Sequence, residues 1–584
     1  MSQRLSKALP KHTALLLASG DLRASANEVC WPAQQALEAE LAKAFETLGW
    51  SIRRVGGGGD GGGGGGFIDS QKRGREVFAA IDPDRPPPPL IVAEAGWQYS
   101  HHVLPGLMRH HARGGRILLA ANWSGTWPGL VGALNLRGSL TKAGVPYSFV
   151  WSEDFTSQET LPLLRAWTKG KTIVHDTSHV RTMGKKSGRD WGTTSVVKLA
   201  AALMDEIRAR PPILGVFDEG CMGMYNAIIP DEALHACSVF KERLSQSALY
   251  AAMRLVPDKE AAAARTWLDR RGMRFETGPD EKTDLTDAQI HEQLKMYIAT
   301  LRLADEFGCD AVGIQYQQGL KDLCPASDLA EGLLNCGDRP PVKSADGTRV
   351  LYAGRPLTHF NEVDECAGLD GLMTQRVWTA LGMAPDNTLH DLRWGDVDQS
   401  GTVEGFVWVL EISGAAPPSH FVNGYKGTTS QRQPPMYFRL GGGTVKGVSR
   451  PGEVVWSRIW VDQTKAGAPR LSMDIGRCKA VSLPPAETQR RLRATTSQWP
   501  IMHAVMYGIS RDQMMARHQA NHIQVVYADD AASADSAAAC KAALAREMGM
   551  RVYACGDNAD GVRLAKVISR VKLPKKKQRR GARA

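Results

Sequence analysis

Residues 360–391 place two acidic side chains at the edges of regular elements. Glu362 comes just ahead of an amphipathic stretch with helical spacing, and Asp391 lies just beyond it, in TLHDLRWG. A side chain at such an edge can be held rigidly in a cleft. A third candidate, His503 in WPIMHAVMYG, lies far downstream. Two carboxylates and one imidazole suit a hard divalent metal such as Mn²⁺, whereas Zn²⁺ more often recruits additional His or Cys. Two carboxylates can also exchange a proton with a bound substrate. Most Asp and Glu are merely solvated, so this trio takes its weight from its context.

The elements around the trio read as an α/β chain with a β-rich end. TALLLASG is an apolar run suited to a buried parallel strand, and SIRRV, LIVAEAG, RILLAAN and YSFVWS repeat the theme with helical stretches between them. The first helix shows Leu37, Leu41 and Phe45 at helical spacing, with Pro32 expected at its start and Gly49 at its stop. This alternation predicts a doubly wound parallel sheet over residues 1–170. A second α/β domain is expected over residues 171–343, with KTIVHDT, PILGVFD and DAVGIQY as strands and a long helix over 284–307. From residue 344 to 569 the pattern turns to alternation, as in TVEGFVWVLEIS, EVVWSRIWVD and RLSMDIGRCKAV, which predicts an antiparallel sheet or barrel. Glu362 and Asp391 fall near the junction of the second and third domains, where small-molecule clefts tend to form.

Composition excludes several other classes. Hydrophobic content of 43% and charged content of 23% are ordinary for a globular protein. No apolar run approaches the roughly 18 residues of a membrane span, and ALLLA near the N-terminus is too short for a signal segment. The ten cysteines show no CxxC pair, which is the usage of a reducing cytoplasm. The net charge of +11 owes eight positive side chains to residues 570–584, leaving +3 elsewhere, so a nucleic-acid partner is not expected and the tail reads as a disordered, solvated extension. The glycine run at 56–66 lacks a following GK[ST] and reads as a surface loop, not a phosphate cradle.

Other reactive side chains are read as structural. His101–His102 and His110–His111 are adjacent pairs, and neighbours in a regular element face different ways. His175 and His179 could line a loop near a ligand. His518 and His522 have HxxxH spacing, but they straddle a helix end and lack the Glu of HExxH. His390, beside Asp391, is a possible extra ligand, and Cys366 reads as a packing residue.

The run around the trio resembles the catalytic region of the L-fucose isomerase family, within the L-fucose/L-arabinose isomerase superfamily. That family's Glu-x-Asp run before a helix is matched by Glu362 and Asp364, and its Asp-x-Arg turn by Asp391 and Arg393. Its late Trp-x3-His segment with a following Tyr-Gly is matched by Trp499, His503, Tyr507 and Gly508. GIQYQQGLKDLCPASDLAEGLLN, FDEGCMGM and YFRLGGG resemble further family landmarks, in order along the chain.

The resemblance implies two α/β domains followed by a C-terminal domain with a β-barrel. It also implies a metal-dependent aldose–ketose isomerase for L-fucose or D-arabinose, assembled as a homo-oligomer, a hexamer by that resemblance. Glu362, Asp391 and His503 would hold Mn²⁺ or another divalent metal, and the two carboxylates would carry the proton between C1 and C2. Gln315, Tyr437, Trp499 and Arg23 would approach the sugar. Trp97 corresponds to an aromatic that reaches the site of a neighbouring subunit. Arabinose isomerases use two Glu and two His, and Asp391 at the second position favours the fucose-type set. An arabinose-type or other aldose specificity, or a sugar-binding protein without turnover, are the alternatives.

Overall fold

TALLL, LIVAE, ILLAAN and SFVWS are apolar at their central positions and buried almost throughout, as strands covered on both faces are. They form β1 (Thr13–Leu17), β3 (Leu90–Glu94), β4 (Ile117–Asn122) and β5 (Ser148–Ser152), with β2 (Ser51–Arg54) at one edge. The computed structural model describes residues 9–56, 65–81, 86–183 and 194–556. Most of the glycine run and the whole basic tail therefore lie outside the described residues. The first sheet is parallel, in the order β2-β1-β3-β4-β5. Ala14 and Leu16 of β1 pack with Leu37, Leu41, Phe45 and Trp167, whereas Leu15 and Leu17 share a cluster with Phe78, Leu107 and Leu134. Helices thus cover both faces. Strand order reverses between β1 and β3, and a crevice opens beyond their C-terminal ends at such a point. Arg23 follows β1 and Trp97 follows β3, so both are delivered there.

The helix expected to begin at Pro32 begins instead at Ala24 and runs to Thr47, with Pro32 inside it. The earlier start follows from local polar bonds. Asn27 Oδ1 accepts from the Asp21 amide at 2.8 Å and Asn27 Nδ2 donates to the Asp21 carbonyl at 2.8 Å, which fixes the entering chain.

The second sheet is also parallel. It contains β7 (Ile213–Phe217), β8 (Phe240–Leu244), β10 (Ala311–Ile314) and β11 (Thr358–His359), in the order β11-β10-β7-β8. KTIVHDT is not a strand; Val174 in it is 82% exposed, and an apolar run without a sheet edge to join has no ladder to satisfy its amides. FKERL, which carries no strand signal, becomes β8 because it lies along the edge of β7, where one polar face remains in water. Two short strands, β9 (Arg274–Phe275) and β14 (Thr429–Ser430), pair with each other.

The third unit is a closed barrel of six antiparallel strands: β12 (Asn387–Val397), β13 (Phe406–Glu411), β15 (Gly452–Gln463), β16 (Pro469–Ala480), β17 (Ile501–Met506) and β18 (His522–Ala528). The order is β15-β18-β12-β13-β17-β16, and pairing of β15 with β16 closes it. Leu392, Leu410, Val454, Cys478, Met502 and Ile523, one or more from each strand, belong to one buried cluster. These fill the interior. Because side chains alternate along a strand, Asp391, Glu411, His503 and His522 have the opposite parity and face outward. β19 (Arg551–Cys555) adds to β16 in parallel and carries β6 (Val180–Thr182) on its far side. Among the described residues no helix is long and apolar enough to cross a membrane.

Candidate functional site

Glu362 lies between β11 and the helix Glu365–Leu381 with φ of 58°, and Val363 follows at 54°. Left-handed backbone at non-glycine residues costs on the order of 1–3 kcal/mol each and persists only where the surroundings enforce it. Here they do. Asp364 caps the helix by accepting from the Ala367 amide at 2.9 Å, and Ser413 Oγ donates to Glu362 Oε1 at 2.9 Å. The strained turn aims the Glu362 carboxylate across the barrel rim toward β12.

Asp391 sits on β12 immediately before a register shift between Leu392 and Trp394. A bulge of this kind re-aims side chains. Its partner across the ladder in β18 is His522, so the two side chains stand side by side on the outer face. His522 Nε2 is 3.3 Å from Asp391 Oδ1 and 3.7 Å from Glu362 Oε2. His522 Nδ1 is bonded to Asp364 Oδ2 at 2.8 Å, and Arg458 Nη1 donates to the same oxygen at 2.6 Å. Asn521 Nδ2 lies 3.5 Å from Asp391 Oδ1.

These contacts set the charge states. Burial works against a charged imidazole, but Asp364 and Asp391 outweigh it and hold the His522 pKa up at about 10. Burial pushes Glu362 up to about 7; His522 opposes this rise and Asp391 adds to it. Asp364 is also buried, yet Arg458 and His522 hold it well below the usual carboxylate range. A carboxyl group near neutrality is suited to both giving and taking a proton.

The imidazole that stands beside Glu362 and Asp391 is therefore His522, not the expected His503. His503 pairs with Val409 across β13–β17, two strands from β12 and one step along from the Asp391–Glu411 row. Strand and residue spacings put it about 12 Å from Asp391. It faces the helix Pro485–Arg493; burial first, then Arg491, push its pKa down to about 4. Glu487 of that helix accepts from Arg490 and Arg491, with Glu487–Arg490 bonding the largest cause of a pKa lowered to about 2. A depressed folded pKa stabilises the fold above the unfolded value and is lost as pH falls through the folded value. Glu487→Gln is thus expected to lower the melting temperature at pH 7, with the difference from wild type shrinking as pH falls from about 4.5 to about 2. Melting curves across that range, with a gap that stays constant, would contradict this. His390 also drops out as a ligand, because it neighbours Asp391 on the strand and so faces the other way.

Glu362 and Asp391 open into a pocket of about 380 Å³, its mouth included, whose walls include Arg23, Trp97, Tyr437 and Trp499. Asp21 grips Arg23 through both oxygens, at 2.8 and 2.6 Å. Arg23 Nη1 donates to Gln317 Oε1 at 2.7 Å, and its guanidinium lies 4.9 Å from the Tyr437 ring centroid. Tyr437 stacks against Trp499, whose indole N–H donates to Gln433 at 2.8 Å. Trp97 Nε1 and Tyr437 Oη are buried with no hydrogen-bond partner among the described residues. Trp97 reaches the pocket of its own chain, so its place in the first domain does not require a neighbouring subunit. Gln315 is fully buried behind the wall, accepting from the Gln317 amide at 3.2 Å; Gln317 is the glutamine that faces the pocket. His175 bonds the Phe149 carbonyl, away from these walls.

Sequence reasoning also passed over Glu411, Ser413 and the role of Arg393. Glu411 sits opposite Asp391 on β13, fully buried, with Arg393 Nε 3.4 Å away. Arg393 lines the pocket and donates to the Gly125 carbonyl at 3.0 Å, tying the barrel to the first domain.

Among the described residues no group of three or more His, Cys, Asp or Glu side chains stands arranged to hold a metal ion. Glu362 Oε2 and Asp391 Oδ1 approach His522 Nε2 only to 3.7 and 3.3 Å. Donors in adjacent positions of an octahedral ion bound at about 2.1 Å stand about 3 Å apart, so both separations from His522 Nε2 are wider than that spacing, the one to Glu362 by more than half an ångström. Two carboxylates and one imidazole are oxygen and nitrogen donor types that a divalent cation accepts. No protein-family model and no curated protein matches the chain.

Proposed function

We propose that this protein is a metal-dependent aldose–ketose isomerase acting on L-fucose- and D-arabinose-type sugars. The observation that carries the reading is that Glu362 and Asp391 line a pocket walled by aromatic and polar side chains while His522 Nε2 approaches both carboxylates. Those three residues would hold a divalent metal such as Mn²⁺, which when bound supplies Lewis-acid polarisation of the sugar carbonyl.

The chain's own groups account for the rest. Isomerisation moves a proton between C1 and C2 through an enediol. Glu362 and Asp391 flank the place where those carbons would lie, and one takes the proton while the other assists its return. Ser413 orients Glu362 through its hydrogen bond. Trp97 Nε1 and Tyr437 Oη, buried without hydrogen-bond partners among the described residues, offer polar contacts to sugar hydroxyls. Arg23, locked by Asp21, presents a fixed guanidinium beside Tyr437. The aromatic rings of Trp97, Tyr437, Phe438 and Trp499 line the pocket and would limit the water beside an enediol.

The same reading takes the first two sheets as doubly wound, supported in the first by helices on both faces. It also takes the protein as cytoplasmic and as a homo-oligomer, a hexamer by resemblance to the family.

A panel of aldoses with added Mn²⁺, assayed for ketose formation, tests the function. L-Fucose and D-arabinose share their configuration at C2 to C4, so both are expected to react, giving L-fuculose and D-ribulose. Activity confined to L-arabinose or another aldose would reject the fucose-type specificity and leave the reaction class standing. A metal-replete protein inert on every aldose would favour a sugar-binding protein.

A further inference from the structure

Asp364 is fully buried and uses both oxygens. One caps the helix Glu365–Leu381 through the Ala367 amide; the other bonds both His522 Nδ1 and Arg458 Nη1. Arg458, itself 1% exposed, makes this its anchoring contact, and its Nε and Nη2 find no hydrogen-bond partner among the described residues. A buried arginine left with one partner is costly to keep, and helix capping alone would not need it, since a neutral Asn or Ser caps as well as Asp. The arrangement does, however, fix one imidazole. With Nδ1 held by a carboxylate, the ring cannot rotate, and Nε2 is turned toward Glu362 and Asp391.

From this geometry we infer that Asp364, pinned by Arg458, is a positioning residue that presents His522 Nε2 to a divalent cation shared with Glu362 and Asp391. The inference rests on the metal reading given above. Asp364 touches neither the pocket nor the cation; it acts through His522. A carboxylate behind a metal-bound imidazole orients the ring and raises its basicity, and loss of such a partner costs about 10–100-fold in metal affinity. The pair also links three parts of the fold: β15 supplies Arg458, the turn after β11 supplies Asp364, and β18 supplies His522. A residue just beyond Glu362 in the chain therefore sets the orientation of a ligand 158 positions further on.

Mn²⁺ binding by the full chain, followed by electron paramagnetic resonance without sugar, tests this. Asp364→Asn keeps the helix cap and the size of the side chain, and is expected to weaken Mn²⁺ binding about 10–100-fold. That variant also strands Arg458, so the double variant Asp364→Asn with Arg458→Met is made alongside it. The double variant removes the buried charges together and is expected to melt near the wild-type temperature while still binding Mn²⁺ as weakly as the single variant. A purely structural Asp364 would instead recover metal affinity along with stability. Wild-type Mn²⁺ affinity in the double variant would overturn the inference. A wild-type protein that binds no Mn²⁺ would overturn the metal reading itself, and the inference with it.

Discussion

Glu362→Gln and Asp391→Asn should each reduce ketose formation at saturating Mn²⁺ and sugar by about 10³-fold or more, a rise in the barrier of about 4 kcal/mol. Each substitution removes a group that can carry the proton and also weakens the hold on the cation. Neither should unfold the protein. In Glu362→Gln the new amide oxygen could still accept from Ser413 Oγ, and the left-handed turn is set by the helix cap that follows. Asp391→Asn keeps the β12 ladder, which is made by backbone groups. The measurement is kcat with melting curves as a control for folding. Turnover within a few-fold of wild type in either folded variant, with metal bound, would remove that carboxylate from the chemistry.

Replacing His522 with Ala should weaken Mn²⁺ binding by at least about 100-fold, beyond the range expected for loss of an outer partner. His503→Ala should leave Mn²⁺ affinity unchanged. The two histidines share their parity on the barrel's outer face, but only His522 lies opposite Asp391 in the ladder. Calorimetric titration with Mn²⁺ on both variants separates them. The reverse pattern, with His503→Ala losing the metal and His522→Ala keeping it, would place the metal away from the Asp391–His522 pairing.

Local pattern and tertiary structure contributed different things to this site. The apolar runs that became β1, β3, β4 and β5 were legible because a strand covered on both faces must be apolar throughout. Alternation marked β13, β15 and β16 because a barrel strand has one buried and one less buried face. The capped turn at Glu362 and Asp364 was legible as the edge of a helix, and Asp391 as a residue beyond it. The aromatic and cationic side chains Arg23, Trp97, Tyr437 and Trp499 were picked out from residue type and resemblance, and they do meet in one pocket.

What the sequence determined by itself was thus which segments could be strands and helices, and which residue types were available for chemistry. Only the tertiary structure decided which of them meet. HIQVVYA reads equally well as any buried strand, and nothing within that segment states that it will lie antiparallel to β12 with His522 facing Asp391. A shift of one residue in that register would turn His522 into the barrel and bring Ile523 out. The register is settled by closure of six strands from residues 387–528 around one interior, a condition met by the whole set and by no segment alone. For the same reason Gln317 and not Gln315 faces the pocket, and Trp97 arrives from its own chain: the crevice beyond β1 and β3 opens onto the rim of the barrel.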